Sequence, residues 1–175
     1  MTDSVHGSVA DLASSVQLNS SQNLHRPATS TMLWVALRFP GLLNYRPVAM
    51  ELVSCVIRQV ERADRTFHNE MLTAFGEAFN NVAIHGYRGR PDGMLDIEAE
   101  ITPDGLTLRL SDTGKSIDFR VVESPDLDAL PESGMGVFMI HSLVEEMRYD
   151  AGCPNVLTLV KKISSGGQIP VARVG

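Results

Sequence analysis

Three polar residues interrupt an otherwise apolar helical pattern: Glu77, Asn81 and His85. They are spaced at i, i+4 and i+8, so a helix places them in one stripe, with Asn80 beside it. Asparagine is a middling helix former, because its side chain competes for nearby backbone groups and favours caps and turns. Two adjacent asparagines deep in a helix therefore call for a reason, and a chemical one exists. A carboxamide oxygen can coordinate Mg²⁺, which takes oxygen ligands and bridges phosphates. A carboxylate one turn away can accept the proton of an attacking hydroxyl. Taken singly, Glu77 also fits a solvated helix face, and His85 a capping or packing role near the helix end.

Two further segments carry chemistry. Asp112-Thr113-Gly114 follows an alternating apolar run. A carboxylate at a strand end is placed to accept a hydrogen bond from an exocyclic amine such as that of adenine, and a glycine lets backbone approach a flat ring. The same three residues also read as an ordinary Asp-x-Gly turn. Ser133-Gly134-Met135-Gly136 then runs into the apolar stretch 137–144. Backbone N–H groups at a helix N-terminus bind phosphate well, though a flexible lead into a helix has the same composition. No Gly-Lys-Ser/Thr follows these glycines, so this is not a Walker A loop. No βαβ unit with GxGxxG is present either.

The elements that must hold these residues can be read from periodicity. Residues 32–39 read as a strand stopping at Pro40. A helix follows with Pro47 near its start, and Ala49, Leu52, Val53, Val56 and Val60 recur at helical spacing. Cys55 falls in this pattern, which predicts burial. A second helix spans about Thr66 to His85, with Phe67, Met71, Leu72, Phe75, Ala78, Phe79 and Val82 as its core face and Gly86 as its stop. The period then changes to two. Leu95, Ile97, Ala99 and Ile101 alternate with acidic residues, Pro103-Asp104-Gly105 makes a turn, and Leu106, Leu108 and Leu110 alternate again. Residues 113–133 read as a long polar loop of the kind that often serves as a lid. A helix from Val137 to Met147 and two strands near 148–151 and 156–163 complete the pattern. Helices first and last with an antiparallel hairpin between them predict an α+β fold, a sheet with helices on one face.

The whole chain bounds the answer. Its 175 residues suffice for one domain with a proper core. Net charge is −6, so the surface as a whole does not read as a nucleic-acid binder. Two cysteines without CxxC or Cys/His spacing give no zinc signature and fit a reducing compartment. No apolar run approaches the roughly 20 residues of a membrane span, and no signal peptide is legible. The sequence therefore predicts a cytoplasmic protein. Residues 1–30 and 164–175 are polar and poor in large apolar side chains, and are expected to be flexible arms around a domain at 31–163.

The order of these motifs resembles the GHKL ATPases: a helix with Glu-x-x-x-Asn, a strand-end Asp-x-Gly, then Gly-x-Gly into a helix. The segment from Glu77 to Tyr87 and the run Ser133-Gly134-Met135-Gly136 are most similar to the N-box and second glycine box of anti-sigma factor serine/threonine kinases. The resemblance covers roughly residues 31–163. It implies a two-layer sandwich with a mixed, mostly antiparallel sheet. It also implies roles. Asn81 would hold Mg²⁺ against the phosphates of ATP, and Glu77 would be general base toward a serine or threonine hydroxyl. Asp112 would read the adenine amine, with Gly114 and Ile117 beside the nucleotide and His85 lining the pocket. Residues 115–132 would form the lid, and Ser133, Gly134, Met135 and Gly136 would wrap the phosphates. The implied acceptor is a STAS-type anti-anti-sigma protein. The implied second partner is a sigma factor, sequestered by a kinase that commonly forms a homodimer. No direct contact with nucleic acid or membrane is implied. Three positions depart from the family pattern: Ser116 stands for the second glycine of Asp-x-Gly-x-Gly, Glu132 for a lid arginine, and Asn155-Val156-Leu157 for a Gly-Thr strand, with Thr158 nearby. Lys115 is a candidate to supply part of the arginine's charge. These departures leave a second reading open, a GHKL-fold binding module that sequesters a partner without phosphorylating it.

Overall fold

The period-two alternation of residues 94–112 becomes the centre of a five-stranded sheet. In the computed structural model, which describes residues 28, 30–90, 92–117 and 132–163, the strands are β1 (Leu33–Pro40), β2 (Met94–Thr102), β3 (Gly105–Asp112), β4 (Glu146–Asp150) and β5 (Asn155–Lys162). Their order is β1-β2-β3-β5-β4, and every pairing among the described residues is antiparallel. The β2–β3 hairpin closes with Thr102 opposite Gly105. Gly105 has φ of 154°, and a Cβ there would strike the Lys161 carbonyl, so the turn requires glycine.

One face of the sheet is apolar: Leu95, Ile97, Ala99, Ile101, Leu106, Leu108, Leu110, Leu157 and Leu159 are all buried. The other carries charge, with Arg109 paired to Glu100 and Arg148 to Asp150. The energetics fix which face turns inward. A buried Leu or Ile contributes roughly 1.5–3 kcal/mol, against up to about 1 kcal/mol for an exposed ion pair such as Arg148–Asp150. A one-residue slip would exchange the faces and expose an apolar side chain at every one of these positions.

Three helices cover the apolar face: α1 (Arg46–Ile57), α2 (Arg65–Asn81) and α3 (Glu132–Leu143). α2 packs between α1 and α3. On α1 the buried apolar residues are Ala49, Val53, Val56 and Ile57; Leu52, expected in this set, is 42% exposed. It projects about 60° from Ala49 at 100° per residue, on the rim of the stripe, while Ile57 lies within it. Cys55 lies further round and is exposed rather than buried, with Arg58 donating to its Sγ at 2.9 Å. On α2 the expected face holds, with Phe67, Met71, Phe75, Ala78 and Phe79 buried and Leu72 partly so.

α3 differs from expectation at both ends. It begins at Glu132, so the Ser-Gly-Met-Gly run is helical rather than a preceding loop, and it ends at Leu143 rather than Met147. Met147 belongs to β4, where Met147 and Tyr149 pack on the core while Glu146 and Asp150 are exposed. Alternation and pairing with β5 outweigh continuation of the helix. Residues 118–131, most of the expected lid, and both expected arms apart from Ala28 and Ser30 lie outside the described residues.

Candidate active site

Asp64 caps the start of α2, its side chain accepting from Phe67 N–H at 2.7 Å. With the apolar stripe of α2 turned to the sheet, Glu77 and Asn81 fall on the side that meets α3. There Gly136 sits against them: a Cβ on it would stand 3.2 Å from Glu77 Oε2 and 3.7 Å from Asn81 Oδ1. The structure thus brings together two motifs more than 50 residues apart in the chain. Asn81 is buried, and its Nδ2 finds no partner among the described residues. An unmet buried donor costs about 1–3 kcal/mol. That cost is explained if the carboxamide serves something outside the chain.

After Asn81 the helix widens into a π-helical turn, Val82–Gly86, in which Tyr87 N–H bonds Val82 O at 2.9 Å. The extra residue breaks the i+4 line assumed from the sequence, and His85 is exposed there. Such turns recur at functional sites. Gly86, which closes the turn, faces the strand-end motif: Lys115 N–H donates to Gly86 O at 2.9 Å. A Cβ on Gly114 would lie 2.8 Å from the Gly86 carbonyl carbon and oxygen, and one on Gly86 would lie 3.7 Å from Asp112 Oδ1 and from Ile117 Cδ1. Glycine at 114 is therefore required first by backbone packing on backbone. Tyr87 fixes this junction. Its buried ring is packed by Gly41 and Gly93, while its hydroxyl donates to Met94 O and accepts from Thr113 N–H.

Asp112, at the end of β3, is buried, and its Oδ1 accepts from Gly114 N–H at 2.8 Å and Asn155 Nδ2 at 3.1 Å. Burial pushes its carboxyl above the usual value of 3.8, and the two hydrogen bonds only partly oppose this. Asn155, fully buried at the start of β5, also donates to Gly114 O at 3.0 Å; its Oδ1 accepts from Ser116 Oγ at 2.9 Å and Gly152 N–H at 3.1 Å. Ile117 N–H donates to the Tyr149 hydroxyl at 3.0 Å. Lys115 is exposed. Thr158 pairs with Arg109 and Arg148 and belongs to the charged sheet face, so it takes no part in this cluster.

At the third corner, the first turn of α3 carries Ser133, Gly134 and Met135, and Met135 is exposed. The first four N–H groups of a helix have no internal acceptor, and the helix dipole adds partial positive charge there. The donor set also bears on a metal. Among the described residues no group of three or more His, Cys, Asp or Glu could hold an ion. An oxygen-seeking ion that keeps several waters and binds phosphate needs only one or two protein oxygens. Asn81 Oδ1, on a buried carboxamide beside Gly136 of α3, would suit Mg²⁺ in that way.

Asp112, held by Gly114 and Asn155, thus lies at one junction beside Gly86, and Glu77, Asn81 and Gly136 meet at another. The family described as the histidine kinase-like ATPase domain matches residues 39–161. An anti-sigma F factor from Clostridium beijerinckii is 35% identical over 101 residues, spanning 54% of this chain and 68% of that protein. This chain belongs to the anti-sigma factor kinases of the histidine kinase-like ATPase family. A serine-protein kinase RsbW from Staphylococcus epidermidis is 25% identical over 143 residues, 77% of this chain and 89% of that one. The solved RsbU and RsbW domains of a Mycobacterium tuberculosis protein superpose with a TM-score of 0.55 at 17% identity. That match covers 74% of this chain and 31% of the other, and it shows the shared fold.

Within this family frame, sequence reading finds the ends of the site but not its joints. Tyr149 carries no motif, Tyr87 enters the sequence reading only as the end of the Glu77–Tyr87 segment, and Asn155 only as a departure from a Gly-Thr strand, with no role given to any of the three. The one signal is a polar Asn155 heading the strand of Leu157 and Leu159, which buries it on their side.

Proposed function

We propose that this anti-sigma-type kinase domain uses Mg-ATP to phosphorylate a serine or threonine on a STAS-type anti-anti-sigma protein. We propose further that it sequesters a sigma factor, with phosphorylation deciding which partner is held. The observation that carries the reading is the meeting of Glu77 Oε2, the Asn81 carboxamide and the Gly136 backbone at one point. Phosphoryl transfer needs mainly positioning and charge neutralisation, with one group to take the hydroxyl proton.

Each residue has a task on this reading. Asp112 accepts the adenine amine, with Gly86, Gly114 and Ile117 around it. N–H groups in the first turn of α3, among Ser133, Gly134 and Met135, bind phosphate oxygens, and Gly136 keeps a side chain out of the way beside Glu77. Asn81 Oδ1 holds Mg²⁺, which when bound neutralises phosphate charge. Glu77, one turn away, takes the proton from the acceptor hydroxyl. His85, exposed within the π-helical turn, lines the nucleotide pocket on this reading. A cytoplasmic location, a homodimer and the absence of direct nucleic-acid or membrane binding complete the proposal. Among the described residues no helix is long and apolar enough to cross a membrane.

Transfer of labelled γ-phosphate to a STAS-domain protein tests this directly. The wild type should label it, and Glu77→Ala should lose roughly 10²- to 10⁴-fold in rate while still binding ATP. A Glu77→Ala variant that labels its partner at the normal rate refutes the assignment. The second reading, a binding module without transfer, is favoured by Glu132 in place of a lid arginine, because a phosphate-facing cation stabilises transition-state charge. It predicts partner capture with no labelling.

A further inference from the structure

Two of the departures from the family pattern, Ser116 and Asn155, bond to each other: Ser116 Oγ donates to Asn155 Oδ1 at 2.9 Å. Asn155 has no capacity to spare. Its two amide hydrogens go to Asp112 Oδ1 and Gly114 O, and its oxygen accepts from Ser116 and from Gly152 N–H. An asparagine side chain offers two donors and an acceptor with two lone pairs, and here all are used. The orientation is therefore fixed. Reversing the amide would set its oxygen against the Asp112 carboxylate and its NH₂ against the Gly152 N–H. Asp112 is fixed in turn. Oδ1 takes two donors, and no described residue bonds Oδ2.

We infer that Asn155, locked by Ser116, is a positioning residue that holds Asp112 with one carboxylate oxygen free for the base and so sets a preference for adenine over guanine. The inference rests on the nucleotide reading above. Adenine presents an amine where guanine presents a carbonyl oxygen. A carboxylate that cannot rotate accepts from the first and repels the second, and a site built to receive a hydrogen bond rejects a base that cannot make it. A threonine at 155 has one donor and could not tie Asp112 Oδ1 and Gly114 O together. A glycine at 116 would leave Asn155 Oδ1 one donor short. The two departures thus read as one coupled device.

Equilibrium binding of ATP and GTP to the full chain tests this without reference to transfer activity. The wild type should prefer ATP at least tenfold. Asn155→Ala should weaken ATP binding about tenfold or more and leave GTP nearly unchanged, collapsing the ratio. Ser116 is exposed, so Ser116→Ala should melt as the wild type does and still reduce the ratio, which keeps the test decisive should Asn155→Ala fail to fold. The double variant should be no worse than Asn155→Ala alone, because contacting residues in one network are not additive. A wild type that discriminates, with a ratio unchanged in folded Ser116→Ala and Asn155→Ala, overturns the inference and leaves the nucleotide reading standing. A wild type that binds neither nucleotide overturns both.

Discussion

Asp112 is a buried carboxyl that, on the proposed nucleotide reading, must stay charged. Its carboxyl is held above the usual 3.8 chiefly by burial, so folding favours the protonated form. The sign follows from linkage: this group's contribution to stability is lost as pH rises from the usual value through the folded one, and stays lost at neutral pH. Asp112→Asn removes the charge and keeps an acceptor for Gly114 N–H and Asn155. It should melt at or above the wild-type temperature while ATP affinity falls at least tenfold. Calorimetric titration beside a thermal melt checks both halves, and undiminished affinity would refute the role. Wild-type affinity should also decline on acidification, beginning above the pH at which an exposed aspartate titrates. Asn81 makes a different demand. Its Nδ2 has no partner within the described chain, so Asn81→Ala removes an unmet buried donor and should cost little stability. The same change should abolish the Mg²⁺ dependence of nucleotide binding, measured by calorimetry with and without the ion.

Secondary elements show what a linear pattern can carry. The β2–β3 hairpin and the core face of α2 are legible because one-sided burial imposes periods of 2 and 3.6 on the residues themselves. The stripe of Glu77 and Asn81 is legible for the same reason. The place of His85 is not, because a π-helical turn inserts its extra residue without any composition that announces it. Nor is the reach of α3, whose first turn contains glycines that propensity would place outside a helix. At Gly136 the tolerance comes from packing against α2, a contact between distant segments. Two glycine variants separate packing from function. In Gly114→Ala the new Cβ meets Gly86 backbone at 2.8 Å, where nothing flexible can yield, so roughly 1–3 kcal/mol of stability should be lost. In Gly136→Ala it meets Glu77 Oε2 at 3.2 Å, a side-chain end that can shift by a few tenths of an ångström. That protein should melt within about 1 kcal/mol of wild type, yet transfer phosphate at least tenfold more slowly because the base is displaced. Denaturation curves and initial rates on the two proteins decide whether Gly136 is needed for Glu77 or only for helix packing.

At the scale of the molecule, helices protect one sheet face, and the other must be held by its own polar contacts. Glu100 is the clearest of these. Its carboxylate is buried on the charged face and takes the Ala28 N–H at 2.8 Å, the Thr31 hydroxyl, and Arg109 Nη1 at 3.1 Å. One side chain thus ties the chain ahead of β1 to β2 and β3. Burial alone would push its carboxyl up; the bonds from Thr31, Ala28 and Arg109 together outweigh that and hold it below the usual 4.5. A depressed carboxyl stabilises the fold at pH above the unfolded value, and that contribution is lost as pH falls through the folded one. Glu100→Gln keeps the shape but removes the charged acceptor of Arg109 Nη1, Thr31 and Ala28, which should cost about 2–4 kcal/mol at pH 7. The gap should narrow steadily below pH 4.5, because the wild type then loses its charge as well. Trp34, the chain's single tryptophan, is the strand partner of Glu100 and gives a local fluorescence signal for denaturant titrations at both pH values. A gap of the same size at pH 7 and at pH 3.5 would mean that Glu100 acts by packing and not by charge.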